Sequence, residues 1–251
     1  MARLPDTLLF ALVFFTRLRL PVRLADRMSA DMRLADAGPA FPIAGLAIGI
    51  FVSLVWWAAN AFLDPVLAAG IAIAAGLLLT GALHEDGLAD CADGLGATHD
   101  RERVLEIMRD STIGSYGALA LLVSLGLRWA ALGGFGIWEG ACALIIAHCG
   151  SRAAMTLATG LSRYARPQGL GSQAADMPKQ DMVLAGILAL LAALVFGAFA
   201  GALSLLAGYA LAWGFLKYLE NRIGGYTGDG LGAMQQLCEI TVLLTLAGFW
   251  S

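Results

Sequence analysis

Thirty-five consecutive residues, Met182 to Leu216, carry no charged side chain. As one helix this run would be about 52 Å long, well beyond the roughly 30 Å of a bilayer interior. It therefore predicts two membrane spans, divided near Gly197 to Gly201. Phe41 to Leu63 and Pro65 to Leu83 are also free of charge. Three further apolar blocks each hold one or a few polar groups: Ser115 to Gly134 (with Arg128), Gly140 to Gly160 (with Arg152) and Ala233 to Trp250. Only 14% of the 251 residues are charged, against about a quarter in a soluble domain. The expectation is an all-α, polytopic integral membrane bundle of about seven helices, forming one membrane-embedded domain over residues 1–251. The N-terminal run Thr7 to Leu20 is short and broken by Arg17 and Arg19, so an interfacial or re-entrant helix is expected there rather than a cleavable signal.

The charges are segregated. The short turns at Leu63 to Pro65, Gly133 to Glu139 and Gly197 to Gly201 contain no Lys or Arg, while the long connections hold nearly all of them. The positive-inside rule then puts the long connections in the cytoplasm. The net charge of -3 says little by itself, and no nucleic-acid partner is expected. The four cysteines form no C-x-x-C pair and read as small buried hydrophobes.

Chemistry concentrates in the connections. H-E-D-G-L-A-D-C-A-D-G, residues 84–94, follows an apolar block and carries Asp86, Asp90 and Asp93 at spacings of four and three, one face of a helix. Two such carboxylates about 6 Å apart repel by roughly 3 kcal/mol at an effective dielectric near 20. A hard divalent cation such as Mg²⁺ relieves that repulsion, and the oxygen-only ligand set suits it. The alternative, a solvated acidic turn that caps helices, is weakened because no basic residue stands at i±4. A second motif, I-M-R-D-S-T-I-G-S-Y-G at 107–117, follows a helix expected to begin at an Asp100 cap. Its Arg109 offers a bidentate donor for phosphate, and Asp110 and Ser111 could complete a metal shell. The third, G-G-Y-T-G-D-G-L-G-A-M-Q-Q-L-C-E at 224–239, leads a glycine-rich loop containing Gly228 and Asp229 into an apolar span that buries Glu239. Asp229 could add a metal ligand or act as general base. Between them Y-A-R-P-Q-G-L-G, 164–171, places Tyr164 and Arg166 either for recognition or as interface anchors. His84 stands two residues before Asp86, as a supporting partner or a phosphate donor; His148 reads as a core residue and His99 as surface.

Together with F-F-T-R-L near the N-terminus and F-P-I-A-G-L-A-I-G at 41–49, these motifs resemble the cobalamin synthase family, the adenosylcobinamide-GDP ribazoletransferases. The resemblance covers almost the whole chain. It implies a magnesium-dependent phosphotransferase of the bacterial inner membrane, with its site facing the cytoplasm. Its partners would be the bilayer and two small substrates, adenosylcobinamide-GDP and α-ribazole or its phosphate, with GMP released; a homo-oligomer is left open. It also implies roles: Asp86, Asp90 and Asp93 as catalytic metal ligands, Asp229 as ligand or base, and His84, Arg109, Asp110, Ser111, Tyr164, Arg166 and Gly228 at the substrates. Gln236 stands where some members carry glutamate, which leaves Glu239 as the available acid, and Glu85 receives no role. A CDP-alcohol phosphotransferase is the rival from the same reaction class, but its D-G-x-x-A-R pattern is absent after Asp86-Gly87. A cation transporter would need acids deep in several spans, whereas nearly all acids here lie in connections.

Overall fold

A computed structural model describes residues 4–18, 33–166, 174 and 177–250, and these are almost entirely helical. The helices are α1 (Leu4–Phe15), α2 (Ala40–Asn60), α3 (Pro65–Thr80), α4 (Leu83–Ala97), α5 (Arg101–Ile107), α6 (Ser115–Gly133), α7 (Ile137–Leu161), α8 (Lys179–Ile223) and α9 (Gly228–Trp250). A 3-10 turn, Leu34–Ala37, precedes α2. Five of them are long and apolar enough to cross a membrane, and α3 with α4 adds a sixth such stretch, bent by 89°. The 45-residue α8 is broken at Ala198, whose backbone leaves the helical region. There the backbone oxygen of Ala193 sits against Gly201, a contact across eight residues that only a reversal of the chain allows. Counting α8 as two gives the seven spans that the uncharged blocks predict.

Local chemistry sets the ends. Asp64 caps α3 by accepting from the amides of Val66 (3.0 Å) and Leu67 (3.2 Å), with Pro65 at the first helical position. The sequence reading carried this span on to Leu83, but it stops at Thr80. Gly81 and Ala82 both adopt left-handed backbone (φ 67° and 55°), and this turns α4 away from α3. The Arg17 amide donates to Leu79 O at 2.7 Å, and its side chain lies over Gly81. α4 therefore runs along the end of the bundle rather than through it. The α1 helix packs beside α2, with Phe15 fully buried against Phe41 at a ring separation of 4.8 Å.

α7 is the central helix and α2 its main partner. Gly45 and Gly49 of α2 face α7 so closely that a Cβ on Gly49 would lie 2.9 Å from Ile145 Cα. This is the small-xxx-small packing that lets helix backbones meet in a membrane. Ser53 and Trp56 extend the seam by donating to Ala141 O (2.8 Å) and Ile137 O (2.9 Å).

The two ends of the bundle differ chemically. At one end the short turns gather: Trp129 Nε1 donates to Val66 O at 2.6 Å, and Phe135 meets Trp250 with ring centroids 5.9 Å apart. At the other end arginines tie the long connections together. Arg101 donates to Ile223 O and Ala165 O, and Arg222 donates to Thr98 O at 2.6 Å. Reporter fusions at residues 64, 136 and 199 should therefore all report one side of the membrane, and fusions at 98, 112 and 226 the other. Any exchange between those two sets would contradict this end-to-end division.

Candidate active site

α4 and α9 cross at two glycines. A Cβ on Gly87 would lie 2.8 Å from Asp229 O, and one on Gly232 would lie 3.2 Å from His84 O. Any larger residue would push the helices apart, so the D-G of one motif and the G-L-G of another serve the same contact. The crossing brings Asp86 and Asp90 of α4 beside Asp229, the second residue of α9. Asp86 and Asp229 line one cavity of about 230 Å³, together with His84, Tyr164, Arg166 and Gly228. Thr227 begins α9 by accepting from the Gly230 amide at 3.0 Å, so this helix starts at Gly228 rather than near Ala233 as the apolar block suggested.

The cluster is acidic and only partly neutralised. Arg166 pairs with Asp229 at 3.0 Å. Asp90, on the surface-running α4, has its pKa pushed up to about 7 by partial burial, then by the charges of Asp86, Asp229 and Asp93. A cation among these carboxylates would remove that penalty. The donor set is all oxygen, which fits a hard divalent ion. Among the described residues, however, no three His, Cys, Asp or Glu side chains converge closely enough to enclose a metal.

Asp93 explains why the expected triad does not form. Its Oδ2 accepts from the Gly114 amide at 2.8 Å and its Oδ1 from the Gly117 amide at 2.9 Å. Both oxygens serve the first turn of α6, where a carboxylate also complements the helix dipole. The I-G-S-Y-G segment is thus the seat of Asp93, both of whose carboxylate oxygens are engaged in capping α6. Asp110 and Ser111 are likewise not brought to the cavity: Asp110 is exposed and accepts from the amide and hydroxyl of Thr112 in its own turn. α5 itself begins as expected, with Asp100 accepting from the amides of Glu102 and Arg103, and it ends at Ile107.

Arg109 lines an open cleft with Tyr164 and Arg166, next to the cavity that those two residues also line. The loop holding them is pinned by paired backbone bonds, Ala165 N to Tyr226 O at 2.8 Å and Tyr226 N to Arg163 O at 3.0 Å. Residues 167–171 of that motif lie outside the described residues. His84 is buried, stacks on Phe15 at 5.6 Å, and among the described residues has no partner for Nε2.

Beneath the cavity lies a network that the sequence reading did not assemble. Glu239 pairs with Arg128 (3.1 Å), His148 (3.2 Å) and Arg152 (3.4 Å), all buried. Glu85 pairs with the same Arg128 at 3.0 Å and accepts from Gln236 Nε2 at 3.0 Å. Glu239 is therefore not available to the site as an acid, and Glu85, which received no role, anchors α4 to α6 and α9. The signal was present: charged residues alone on apolar blocks require partners inside the bundle.

Residues 7–247 match the family model described as cobalamin-5-phosphate synthase. The chain belongs to that family. It is 46% identical over 232 residues to an adenosylcobinamide-GDP ribazoletransferase of Bradyrhizobium diazoefficiens, covering 90% of this chain and 88% of the relative. Relatives of the same name from Mesorhizobium japonicum and Ralstonia nicotianae are 40% and 36% identical, covering 95% and 98% of this chain and 92% and 96% of theirs. No solved structure matches. The cobalamin-5-phosphate synthase match spans every helix described here except the last residues of α9 and the first of α1.

The two aspartates separate experimentally. Asp93→Ala should lower unfolding stability by about 1–2 kcal/mol, the usual cost of a lost cap, when followed by thermal unfolding in detergent with EDTA. Asp86→Ala should leave stability unchanged or raise it, because it relieves repulsion. The opposite ranking would return Asp93 to the acidic cluster.

Proposed function

We propose that this chain transfers the cobinamide phosphate of adenosylcobinamide-GDP to α-ribazole, or to α-ribazole phosphate, and releases GMP. The observation that carries this reading is the meeting of Asp86, Asp229 and Arg166 at one cavity, with Asp90 one turn further along α4, in a chain similar over nearly its full length to ribazoletransferases. A ribose hydroxyl attacks the cobinamide-side phosphorus. The new P–O bond forms as the bond to the GMP oxygen breaks, and the hydroxyl proton passes to a carboxylate, a role this reading gives to Asp229. Arg166, with Arg109 in the adjoining cleft, binds and orients the diphosphate.

Asp86 and Asp90 would hold Mg²⁺. Magnesium is commonly bound by one or two carboxylates plus substrate phosphates rather than by a complete protein cage, which accords with the absence of a converged triad among the described residues. When bound, the ion would neutralise charge developing on the phosphate oxygens. The polar end of the bundle, with its basic connections, faces the cytoplasm of a bacterial inner membrane in this reading.

The test uses membranes given adenosylcobinamide-GDP, α-ribazole and Mg²⁺, with GMP and the completed corrinoid as readouts. Activity should vanish with EDTA and return with Mg²⁺ or Mn²⁺. Asp86→Asn and Asp90→Asn should each lower turnover by about a hundredfold or more, the scale of lost electrostatic stabilisation. Turnover in metal-stripped membranes would contradict the proposed role of the ion, and normal GMP release from both variants would move the site elsewhere.

A further inference from the structure

The cavity is divided in character. One wall carries Asp86, Arg166 and Asp229, while the rest is built from Phe14, Leu34, Phe41, Leu83, Met155 and Leu231. Phe14 and Phe41 are stacked within 12° of parallel. Four of the apolar residues are almost fully buried, so this wall is part of the packed bundle rather than a lipid-facing surface. Two polar side chains border it, Tyr164 on the side of the open cleft and His84, which is buried and whose Nε2 has no partner among the described residues. A buried imidazole nitrogen without a partner costs free energy that a ligand atom can recover. Beyond Tyr164 and Arg166 the character changes again, to an open cleft with Arg109, Glu102 and Glu106.

We infer that the enclosed cavity seats the fused aromatic base of the ribazole substrate, and that the open cleft takes the nucleotide end of adenosylcobinamide-GDP. This assignment rests on the reaction proposed above and divides its two substrates between two compartments. Size is the first reason: a cavity of about 230 Å³ admits a flat bicyclic ring and not a corrin macrocycle with its amide arms. Polarity is the second. A dimethylated benzimidazole is apolar over both faces and most of its edge, and it has one free ring nitrogen, which matches an apolar slot with one unpartnered imidazole. Guanine presents several donors and acceptors, which that slot would leave unpaired at a cost of about 1–3 kcal/mol each. Direction is the third: a base seated among these apolar side chains carries its ribose towards the wall of Asp86 and Asp229, where the attacking hydroxyl is needed.

Steady-state kinetics of the full-length enzyme in membranes test this through the two Michaelis constants. Leu83→Trp, at the half-open mouth of the cavity, should raise the KM for α-ribazole by about tenfold, or 1.4 kcal/mol of binding, and change that for adenosylcobinamide-GDP by less than about twofold. Arg109→Gln should do the reverse. Met155→Ala enlarges the slot and should improve the use of a riboside with a tricyclic base relative to α-ribazole; it decides the matter if Leu83→Trp does not fold. A Leu83→Trp effect on adenosylcobinamide-GDP instead, an equal effect on both, or no effect on either would overturn the assignment while leaving the transferase reading intact. Absence of any GMP release from the parent protein would overturn the transferase reading itself, and this assignment with it.

Discussion

The approach of α4 to α9 at Gly87 and Gly232 is the contact on which the site depends. α4 lies across the end of the bundle and α9 runs through it, so their carboxylates belong to elements that a single side chain at either glycine would separate. Because neither position has a Cβ, Asp229 can stand beside Asp86 and Asp90 despite their like charge. Bundle packing opposes that repulsion, and Arg166 offsets part of it. The shape of α4 follows from the same requirement: left-handed backbone at Gly81 and Ala82 breaks the apolar run and lays the aspartates along the membrane face.

The buried ion network supplies the rigidity beneath. Arg128, Arg152 and Glu239 come from three different spans, and Glu85 joins them from the first turn of α4. Each alone would cost several kcal/mol within the bundle. Together they fix the relative placement of α4, α6, α7 and α9, and Glu85 is the immediate neighbour of Asp86. A buried ionic cluster of this kind favours one arrangement of helices over others, because a shift of any member leaves a charge unpaired.

The spans were legible in the sequence because uncharged blocks near twenty residues long have few other uses, and even the hidden reversal inside α8 followed from its length. The break between α3 and α4 was not legible. Leu77 to Leu83 is continuously uncharged, and the turn depends on backbone angles and on Arg17 arriving from α1. Asp86, Asp90 and Asp229 stand out in the sequence by residue type and spacing, and the fold brings them near one another. Asp93 was grouped with them for the same reason, since helical spacing places it on their face. Only its contact with Gly114 and Gly117, more than twenty residues onward, gives it a different task. Glu239 was recognised as a buried acid, but its partners lie on other helices and could not be paired from one sequence.

The central claim is that carboxylates from α4 and α9 form one cation-holding site. Electron paramagnetic resonance of Mn²⁺ titrated into the purified protein, with adenosylcobinamide-GDP present and the second substrate withheld, measures this directly. One bound ion is expected, with affinity reduced by about tenfold or more in Asp86→Asn and in Asp90→Asn, and a spectrum altered in Asp229→Asn. Mn²⁺ binding indistinguishable among the parent and all three variants would contradict the account.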